Sequence, residues 1–493
     1  MKLYNTLSRQ VEEFTPINEE EVKMYSCGPT VYDYAHIGNF RSFLFGDLLK
    51  RSLQHFGYDV NHVMNFTDVD DKTIKASIEE EMPLDLYTEL YKRAFFVDVS
   101  KLKIRKADTY CSATEHIPEM VDLVKVLMDK GFAYKADDGS IYFDTVKFDK
   151  YGKLSNIKLE DMISGARVTQ DEYAKEKAQD FAVWKAYTLE DGDVFWETEL
   201  GKGRPGWHIE CSAMSMKYLG EHFDIHIGGI DNMFPHHENE IAQSEAATDH
   251  TFVNYWLHPK HLFVDKKKMS KSSGNFYTVR DVLKKGYSAS AIRFLLMANA
   301  HYRNELNVTD NSLHAAQIAV DKINQFVYKL DDYIESDLDV RDFQSLNYRA
   351  FQGTFQFDSW LGYDLNLPKA VTVMFDVMKY ANKCEASNNG LTRNNAQELR
   401  KFMDYANDVL DVIDERPVEE EPRDPRLIAK LEKFVESREE YRAQKRYITA
   451  DDIRSAIIRE GYYVDDTLDG PKLRKLTGKE QGYVILDVLE GFV

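Results

Sequence analysis

The chain has 493 residues, of which 43% are hydrophobic and 13% aromatic, which is enough for several globular domains with a large core. It has no long apolar run and no apolar signal-peptide core at its start, so we expect a soluble cytoplasmic protein without a membrane segment. Four cysteines are too few for a disulfide framework. The net charge of −20 argues against a nucleic-acid partner. A local basic groove is not excluded, because Lys and Arg cluster near the C-terminus.

The first part of the chain predicts a βαβ unit. An apolar stretch at 22–25 precedes His36-Ile37-Gly38-Asn39, a helix-like run covers 40–56, and a second strand covers 59–65. Ligand sites in such units lie at the carboxyl ends of the strands. The second strand is followed by Thr67, which we predict to be the N-cap of a helix. That role does not exclude contact between Thr67 and a substrate.

The middle of the chain predicts helices, a small insertion and a return to αβ structure. Residues 75–128 look helical and amphipathic, and the turn-rich, aromatic segment from about 130 to 200 looks like an insertion. Residues 223–227 alternate as a strand does, and 234–245 predict a helix with a proline in its first turn.

The C-terminal part predicts a helical region and a small separate module. Residues 280–415 carry apolar side chains at three- and four-residue spacing, as in 370–378. Proline and charge dominate 416–425, which we interpret as a linker before a mixed module at 426–493. The sequence contains no internal repeat.

Two separated motifs predict a nucleotide-triphosphate site, although each alone is a weak signal. At the first, Gly38 allows backbone to approach a phosphate, the start of a helix favours anions, and His36 can donate to a phosphate oxygen. At the second, Lys268-Met269-Ser270-Lys271-Ser272, the two lysines can neutralise charge that develops at phosphorus. A Lys/Ser-rich loop is more often merely solvated. The sequence has neither a P-loop nor a GxGxxG fingerprint.

Four side chains make a plausible zinc set. Cys27 ends the first strand, Cys211 lies in a later motif, and His236 and Glu240 share one face of a predicted helix. His237 competes as a ligand, because it lies three residues before Glu240. The alternative is that the cysteines are two buried thiols and that His236 and Glu240 form a surface pair.

A set of motifs occurs along the chain in one order. They are Cys27-Gly28-Pro29-Thr30-Val31-Tyr32, HIGN at 36–39, Thr67-Asp68-Val69-Asp70-Asp71-Lys72, Gly206-Trp207-His208-Ile209-Glu210-Cys211-Ser212, Asp224-Ile225-His226-Ile227-Gly228-Gly229-Ile230-Asp231, Phe234-Pro235-His236-His237-Glu238-Asn239-Glu240 and KMSKSSGNF at 268–276. This set resembles the cysteinyl-tRNA synthetases, a family of class I aminoacyl-tRNA synthetases. The resemblance covers about residues 2–475.

The resemblance implies an α/β fold with a Rossmann-type catalytic domain that is split by a connective insertion. A helical bundle and a small anticodon-binding module would follow it. The implied boundaries are 1–128 and 204–260 for the two catalytic halves, 129–203 for the insertion, 261–310 for a stem-contact region with the KMSKS loop, 311–415 for the bundle, and 426–493 for the module and tail.

The resemblance also implies roles for individual residues. One zinc ion per chain would be held by Cys27, Cys211, His236 and Glu240, and the thiolate of the substrate cysteine would bind that zinc directly. The catalytic residues would be His36, Asn39, Lys268 and Lys271. ATP, carrying magnesium, would contact Gly38, Gly228, Gly229, Asp231 and Lys271. The amino-acid site would be bordered by Thr67, Trp207 and His226.

The implied reaction converts L-cysteine and ATP to cysteinyl-adenylate and then transfers cysteine to cysteine tRNA, with the enzyme acting as a monomer. Because the attacking group is already a carboxylate, catalysis needs positioning and electrostatic stabilisation rather than a side-chain nucleophile. Zinc would solve the choice between cysteine and serine, which pocket shape discriminates poorly. The insertion looks too short to be a separate editing domain.

Three departures from the family pattern stand out. Asn39 replaces the second histidine of the commonest motif form and can still donate a hydrogen bond. The usual D-x-N-T-P stretch reads Asp364-Leu365-Asn366-Leu367-Pro368. In the anticodon module Leu473 stands where tryptophan is expected, and an extra tail follows at 476–493.

Two rival functions have sequence features against them. A mycothiol-pathway cysteine ligase would lack the module at 426–475, whose segment 438–446 is basic and helix-like. A non-catalytic tRNA-binding paralogue would not need intact HIGN, both lysines and all four zinc ligands.

Overall fold

The computed structural model describes residues 1–157, 180–269, 275–336, 338–416 and 425–444, with 446, 449–450, 453–454, 456–457, 460–467 and 470–475. Two compact units form, Met1–Asp414 and Glu415–Val493. The core of the predicted linker, 417–424, and the tail at 476–493 lie outside the described residues. No helix in the described ranges has the length and apolar content needed to cross a bilayer.

The first unit contains fifteen described strands and twelve described helices. The strands are β1 (Lys2–Asn5), β2 (Gln10–Glu13), β3 (Glu21–Ser26), β4 (Asp59–Phe66), β5 (Thr109–Ser112), β6 (Ala133–Lys135), β7 (Ile141–Phe143), β8 (Phe181–Ala186), β9 (Trp196–Thr198), β10 (Gly201–Pro205), β11 (Phe223–Ile227), β12 (Val253–Leu257), β13 (Leu262–Val264), β14 (Lys267–Lys268) and β15 (Leu306–Val308). The helices are α1 (Ile37–His55), α2 (Asp71–Glu79), α3 (Leu84–Lys101), α4 (Ile117–Asp129), α5 (Trp207–Leu219), α6 (Glu238–Thr248), α7 (Val279–Lys284), α8 (Ala289–Ala298), α9 (Asp310–Glu335), α10 (Gln344–Leu361), α11 (Leu367–Asn388) and α12 (Arg393–Leu410).

A five-stranded parallel sheet in the order β12-β11-β3-β4-β5 forms the centre of the unit. The chain runs outward from β3 through β4 to β5, and on the other side from β11 to β12. The strand order therefore reverses between β3 and β11, where ligands bind in open α/β sheets. Ser26 pairs with Ile227 at this point, and the Cys27 N–H donates to the Ile227 carbonyl at 3.2 Å. The predicted Rossmann-type α/β class is confirmed.

The segment between the two halves of this sheet carries an antiparallel sheet of its own, in the order β6-β7-β8-β10-β9. After this insertion the chain returns to the five-stranded parallel sheet through Gly206, which is the N-cap of α5. A Cβ atom at Gly206 would lie 2.0 Å from the Ala182 carbonyl oxygen, so only glycine permits this approach. Residues 158–179 of the predicted insertion lie outside the described residues.

Three predicted element boundaries were wrong in the first half of the chain. The helix predicted at 40–56 starts at Ile37, because His36 caps it. Asp70 rather than Thr67 caps α2, because the backbone of Thr67 is still paired with Pro29 and Val31. The predicted helical stretch 75–128 is broken by β5, a four-residue edge strand too short to show a periodic pattern.

The predicted helix at 234–245 also differs. Phe234 is extended, with φ −140° and ψ 130°, and the regular helix starts only at Glu238. The three short strands β13, β14 and β15 form a separate small sheet in the region after Leu257. From Val279 to Leu410 the described chain is helical apart from β15 and the connecting segments, in agreement with the helical region predicted at 280–415.

Helices α9 to α12 pack through apolar faces whose buried positions recur every three or four residues. A buried cation ties this region to the first part of the unit. Arg293 donates to the carbonyls of Leu410 at 2.6 Å and Leu102 at 3.0 Å, and pairs with Asp47 at 2.5 Å. These partners satisfy a charge that would otherwise be costly to bury.

The second unit contains α13 (Pro425–Ala443) and a hairpin of β16 (Tyr462–Thr467) and β17 (Gly470–Lys475). Its small core consists of Leu431, Val435, Ile457, Tyr462 and Val464. Leu473, the residue at the expected tryptophan position, packs against this core.

Candidate functional site

The four predicted metal ligands converge where the sheet order reverses. One ligand atom from each of Cys27, Cys211, His236 and Glu240 lies within 4.8 Å of the others. Cys27 directly follows β3, Cys211 lies in α5, and Glu240 lies in the first turn of α6. The three protein segments therefore place two thiols, an imidazole and a carboxylate around one point, a donor set that zinc prefers.

A second set shares the same space. Cys27, His226, His237 and Glu240 also lie within 4.8 Å of one another. The Nε2 atom of His237 lies 3.3 Å from the Cys27 sulfur and 4.0 Å from Glu240 Oε1. The sequence indicated His237 as a competitor, but it gave no sign that His226 contacts the same carboxylate.

Neighbouring side chains hold the ligands of the first set. The His226 Nε2 atom lies 2.8 Å from Glu240 Oε2, while His236 Nε2 lies 3.1 Å from Oε1. The other nitrogen of His236 lies 2.9 Å from His208 Nδ1. Such outer contacts orient metal ligands and fix imidazole tautomers. His226 thus acts here on Glu240, in addition to its predicted place beside the amino-acid site.

Burial favours the uncharged forms of Cys27, Cys211, His236 and His237. Burial raises the pKa of the Cys27 thiol, and the hydrogen bond that the Cys211 thiol donates to Cys27, together with burial, raises the pKa of Cys211 well above its usual value. Burial lowers the pKa of His236 to about 3 and that of His237 well below 6.5. A cation that bound here would have to displace the thiol protons, but neither His236 nor His237 would oppose it as an imidazolium.

Two buried polar atoms around the cluster, His226 Nδ1 and the Tyr25 hydroxyl, have no hydrogen-bond partner among the described residues. Glu240 Oε1 lies 3.1 Å from His236 Nε2 but makes no well-aligned hydrogen bond. Buried polar groups are normally satisfied, so unpaired atoms at one place indicate a missing partner. The residues present therefore fit a bound metal ion.

The predicted amino-acid contacts lie beside the cluster. The Trp207 ring stacks on His236, with centroids 4.2 Å apart. The Thr67 hydroxyl donates to Glu210 Oε2 at 2.9 Å and accepts from the Asn65 amide at 3.3 Å. Burial raises the pKa of Glu210 well above 4.5. Sequence reasoning missed the role of Glu210, although a carboxylate four residues after Gly206 in an otherwise buried helix was a usable signal.

The HIGN motif at 36–39 is joined by a backbone hydrogen bond to the segment that follows the KMSKS loop, at Tyr277. His36 caps α1: its Nδ1 accepts the Asn39 N–H at 3.0 Å, and Asn39 Oδ1 accepts the His36 N–H at 3.1 Å. The Ile37 N–H donates to the Tyr277 carbonyl at 2.9 Å. A Cβ atom at Gly38 would lie 2.6 Å from Met269 Cε. Lys268 is the last residue of β14 and directly precedes Met269. Lys271 lies outside the described residues.

These hydrogen bonds fix the donor on His36. Because Nδ1 accepts a hydrogen bond, the neutral ring carries its proton on Nε2. Burial lowers the pKa of His36, and the charge of Asp231 partly opposes this. Nε2 is therefore available as a neutral donor.

The predicted glycine pair follows β11. A Cβ atom at Gly228 would lie 2.6 Å from the His237 ring, and one at Gly229 would lie 2.5 Å from Asp231 Oδ1. A side chain at Gly228 would clash with the buried His237 ring, whereas at Gly229 the close atom is only the end of the Asp231 side chain. The backbone of Gly229 is half-buried and lies near the exposed Asp231.

Comparisons with known proteins identify the family. A model of the class I (C) tRNA synthetase catalytic domain matches residues 13–318, and a DALR-domain model matches 356–413. The chain is 47% identical to a cysteine–tRNA ligase of Brachyspira hyodysenteriae, covering 96% of this chain and 98% of that protein. It is 44% identical to one of Protochlamydia amoebophila, with 96% and 98% covered.

Solved structures with similar folds include methionyl-tRNA synthetase of Mycobacterium tuberculosis in complex with methionyl-adenylate. Its TM-score is 0.58 at 12% identity, with 80% of this chain and 90% of that chain covered. A ternary LeuRS–tRNA–LeuAMS complex from Agrobacterium radiobacter also has a TM-score of 0.58, at 10% identity, with 81% and 84% covered. At such identities these structures establish the fold.

Proposed function

The chain belongs to the cysteine–tRNA ligase family of class I aminoacyl-tRNA synthetases, and from this we propose how its residues carry the reaction. The enzyme activates L-cysteine with ATP and transfers cysteine to the 3′ terminal adenosine of cysteine tRNA. The observation that supports the amino-acid choice best is the cluster of two thiols, an imidazole and a carboxylate beside Trp207.

We assign one zinc ion to Cys27, Cys211, His236 and Glu240. This set is preferred over the one with His226 and His237 because it has two sulfur donors, and because His226 and His208 then orient Glu240 and His236 from outside. Zinc held there supplies a soft Lewis acid that favours a thiol substrate over the hydroxyl of serine.

The remaining pocket residues position the amino acid. The Thr67 hydroxyl has its proton committed to Glu210, so its oxygen can only accept further hydrogen bonds, which suits the substrate ammonium group. Trp207 closes the pocket over His236. A held substrate carboxylate can then attack the α-phosphorus of ATP without help from a side-chain base.

The other end of the site handles the triphosphate. His36 Nε2 and the amide nitrogen of Asn39 donate to phosphate oxygens at the start of α1, where the helix favours anions. Gly228 and Gly229 contact adenosine through their backbone, and the exposed Asp231 contacts it through its carboxylate. Lys268, Lys271 and the magnesium that accompanies ATP offset charge in the transition state.

We assign tRNA selection to the C-terminal module at 426–475, with the domain boundaries given by the sequence. Exposed basic residues of α13 such as Lys433 supply charge for phosphate contacts, while the five Lys and Arg side chains of the helix are nearly balanced by four Glu. The enzyme works as a cytoplasmic monomer in this proposal.

The test is aminoacylation of total tRNA with each amino acid in turn, together with the zinc content of the purified chain. We expect cysteine-dependent pyrophosphate exchange, charging with cysteine but not serine, and about one zinc per chain. Cysteine transfer to an amino-sugar instead of tRNA, or exchange by a chain free of zinc, would contradict the proposal.

A further inference from the structure

Glu238 lies between two proposed zinc ligands but makes its hydrogen bonds to the insertion. Its buried carboxylate accepts the backbone N–H groups of Gly152 at 2.9 Å, Leu154 at 3.1 Å and Ser155 at 2.8 Å. The Ser155 hydroxyl donates to the same carboxylate at 2.8 Å. Four donors from one short loop therefore converge on a single side chain of the metal-bearing segment.

The loop is shaped to present these donors. Gly152 has φ +91°, and a Cβ atom there would lie 2.1 Å from the Ile157 carbonyl oxygen, so only glycine fits. The Asn156 N–H closes the turn by donating to the Gly152 carbonyl at 2.8 Å. Successive N–H groups in such a turn form a concave site for a carboxylate.

Two further contacts join the same loop to the same helix. The Tyr151 hydroxyl donates to Asn239 Oδ1 at 2.5 Å, and Lys153 pairs with Glu245 at 2.6 Å. Glu238 and Asn239 are the residues next to Glu240, so the 151–155 loop fixes the turn in which His236 and Glu240 face the metal.

We propose that Glu238 is a positioning residue for the metal site, and that the 151–155 loop of the insertion sets metal retention and, through it, cysteine selection. The inference rests on the proposed zinc assignment. Outer residues that orient ligands change metal affinity by about 10- to 100-fold when they are replaced. The competing possibility is that Glu238 only anchors the insertion.

The variant Glu238→Gln tests this on the full chain, because it keeps the size but turns an amide N–H₂ toward backbone donors. We expect zinc release to a chromogenic chelator to be about 10- to 100-fold faster. In pyrophosphate exchange the KM for cysteine should rise while the KM for ATP stays unchanged. The matched control is Glu245→Gln, which removes the charge partner of Lys153 in the same loop but leaves the four donors to Glu238 in place, so zinc release should stay within about twofold of the unaltered chain.

The outcomes are separable. Unchanged zinc release in Glu238→Gln, with only a lower melting temperature, would overturn the inference in favour of an anchoring role. If that variant does not fold, Ser155→Ala removes one of the four donors from the loop side, and unchanged release there would overturn it equally. An unaltered chain that holds no zinc would instead reject the zinc assignment itself, before any variants are compared.

Discussion

The two ends of the proposed active site are built differently. At the metal end Cys211, His236 and Glu240 are buried, and residues from distant segments hold them. At the phosphate end Asn39 is exposed, and His36 is held mainly by the local capping box. In the proposed mechanism, selection between cysteine and serine depends on a donor set that folding assembles from distant segments. The phosphates, by contrast, would bind N–H groups at the start of a helix, which the local sequence provides.

The largest effect should come from breaking the metal end. Cys211→Ser replaces a soft donor by a hydroxyl, so we expect loss of zinc and loss of cysteine binding together. Zinc content and cysteine-dependent pyrophosphate exchange measure both. The control is Cys384→Ser, a buried thiol in α11 outside the cluster, which should keep its zinc. Tight cysteine binding by metal-free protein would contradict the assignment.

A substitution at the phosphate end should lower the rate of adenylation more than it lowers the affinity for cysteine. Lys271→Ala should lower the adenylation rate by roughly 10²- to 10³-fold, the usual effect of removing one pre-organised donor, with a smaller change in cysteine affinity. Lys266→Ala, an exposed lysine before the motif, is the matched control. An unchanged exchange rate in Lys271→Ala would show that the residue has been misassigned.

The same contrast between the metal end and the phosphate end explains which features could be predicted from the sequence. The α/β class and the family were predictable because their motifs are local and ordered. The four cluster residues were predictable because each sits in such a motif. The contacts of Glu210 and Glu238 were not predictable. The partner of Glu210, Thr67, lies about 140 residues away in the sequence, and the partners of Glu238, Gly152 to Ser155, lie about 80 residues away, so only folding brings them together. The extended backbone of Phe234 was not predicted, because residues 234–245 have the sequence pattern of a helix.

Removing the C-terminal module should leave both ends of the site working. Ending the chain near Glu420 keeps every adenylation motif, so cysteine-dependent exchange should persist. The KM for tRNA should rise by at least roughly 30-fold, since the loss of two base contacts at about 1–3 kcal/mol each costs about 2–6 kcal/mol. Discrimination against anticodon variants should weaken. Exchange and aminoacylation are measured on one truncated preparation of confirmed fold, and a proportional loss of both would indicate a stability module instead.

The smallest expected effect concerns the sheet behind the metal end. His62 is buried, lies 2.7 Å from the hydroxyl of Ser26, the residue before Cys27, and has its pKa lowered by burial to about 3. In the unfolded chain a histidine titrates near 6.5, so between these values the unfolded state binds more protons. Folding stability therefore rises with pH from 3 to 6.5, and His62 alone removes about 1.4 kcal/mol for each pH unit of acidification in that window.

The variant His62→Asn isolates this contribution, because an amide can still bond to Ser26 but does not titrate. Urea unfolding of both chains at pH 6.5 and 5.5 should show that the unaltered chain loses about 1 kcal/mol more than the variant. Other buried histidines, such as His258 with a pKa of about 3, act in the same direction in both chains and cancel in the difference. Equal losses in the two chains would mean that His62 takes up its proton at the same pH in the folded and in the unfolded chain. The sheet next to Cys27 would then carry a charge at pH 5.5, and burial would not keep His62 neutral.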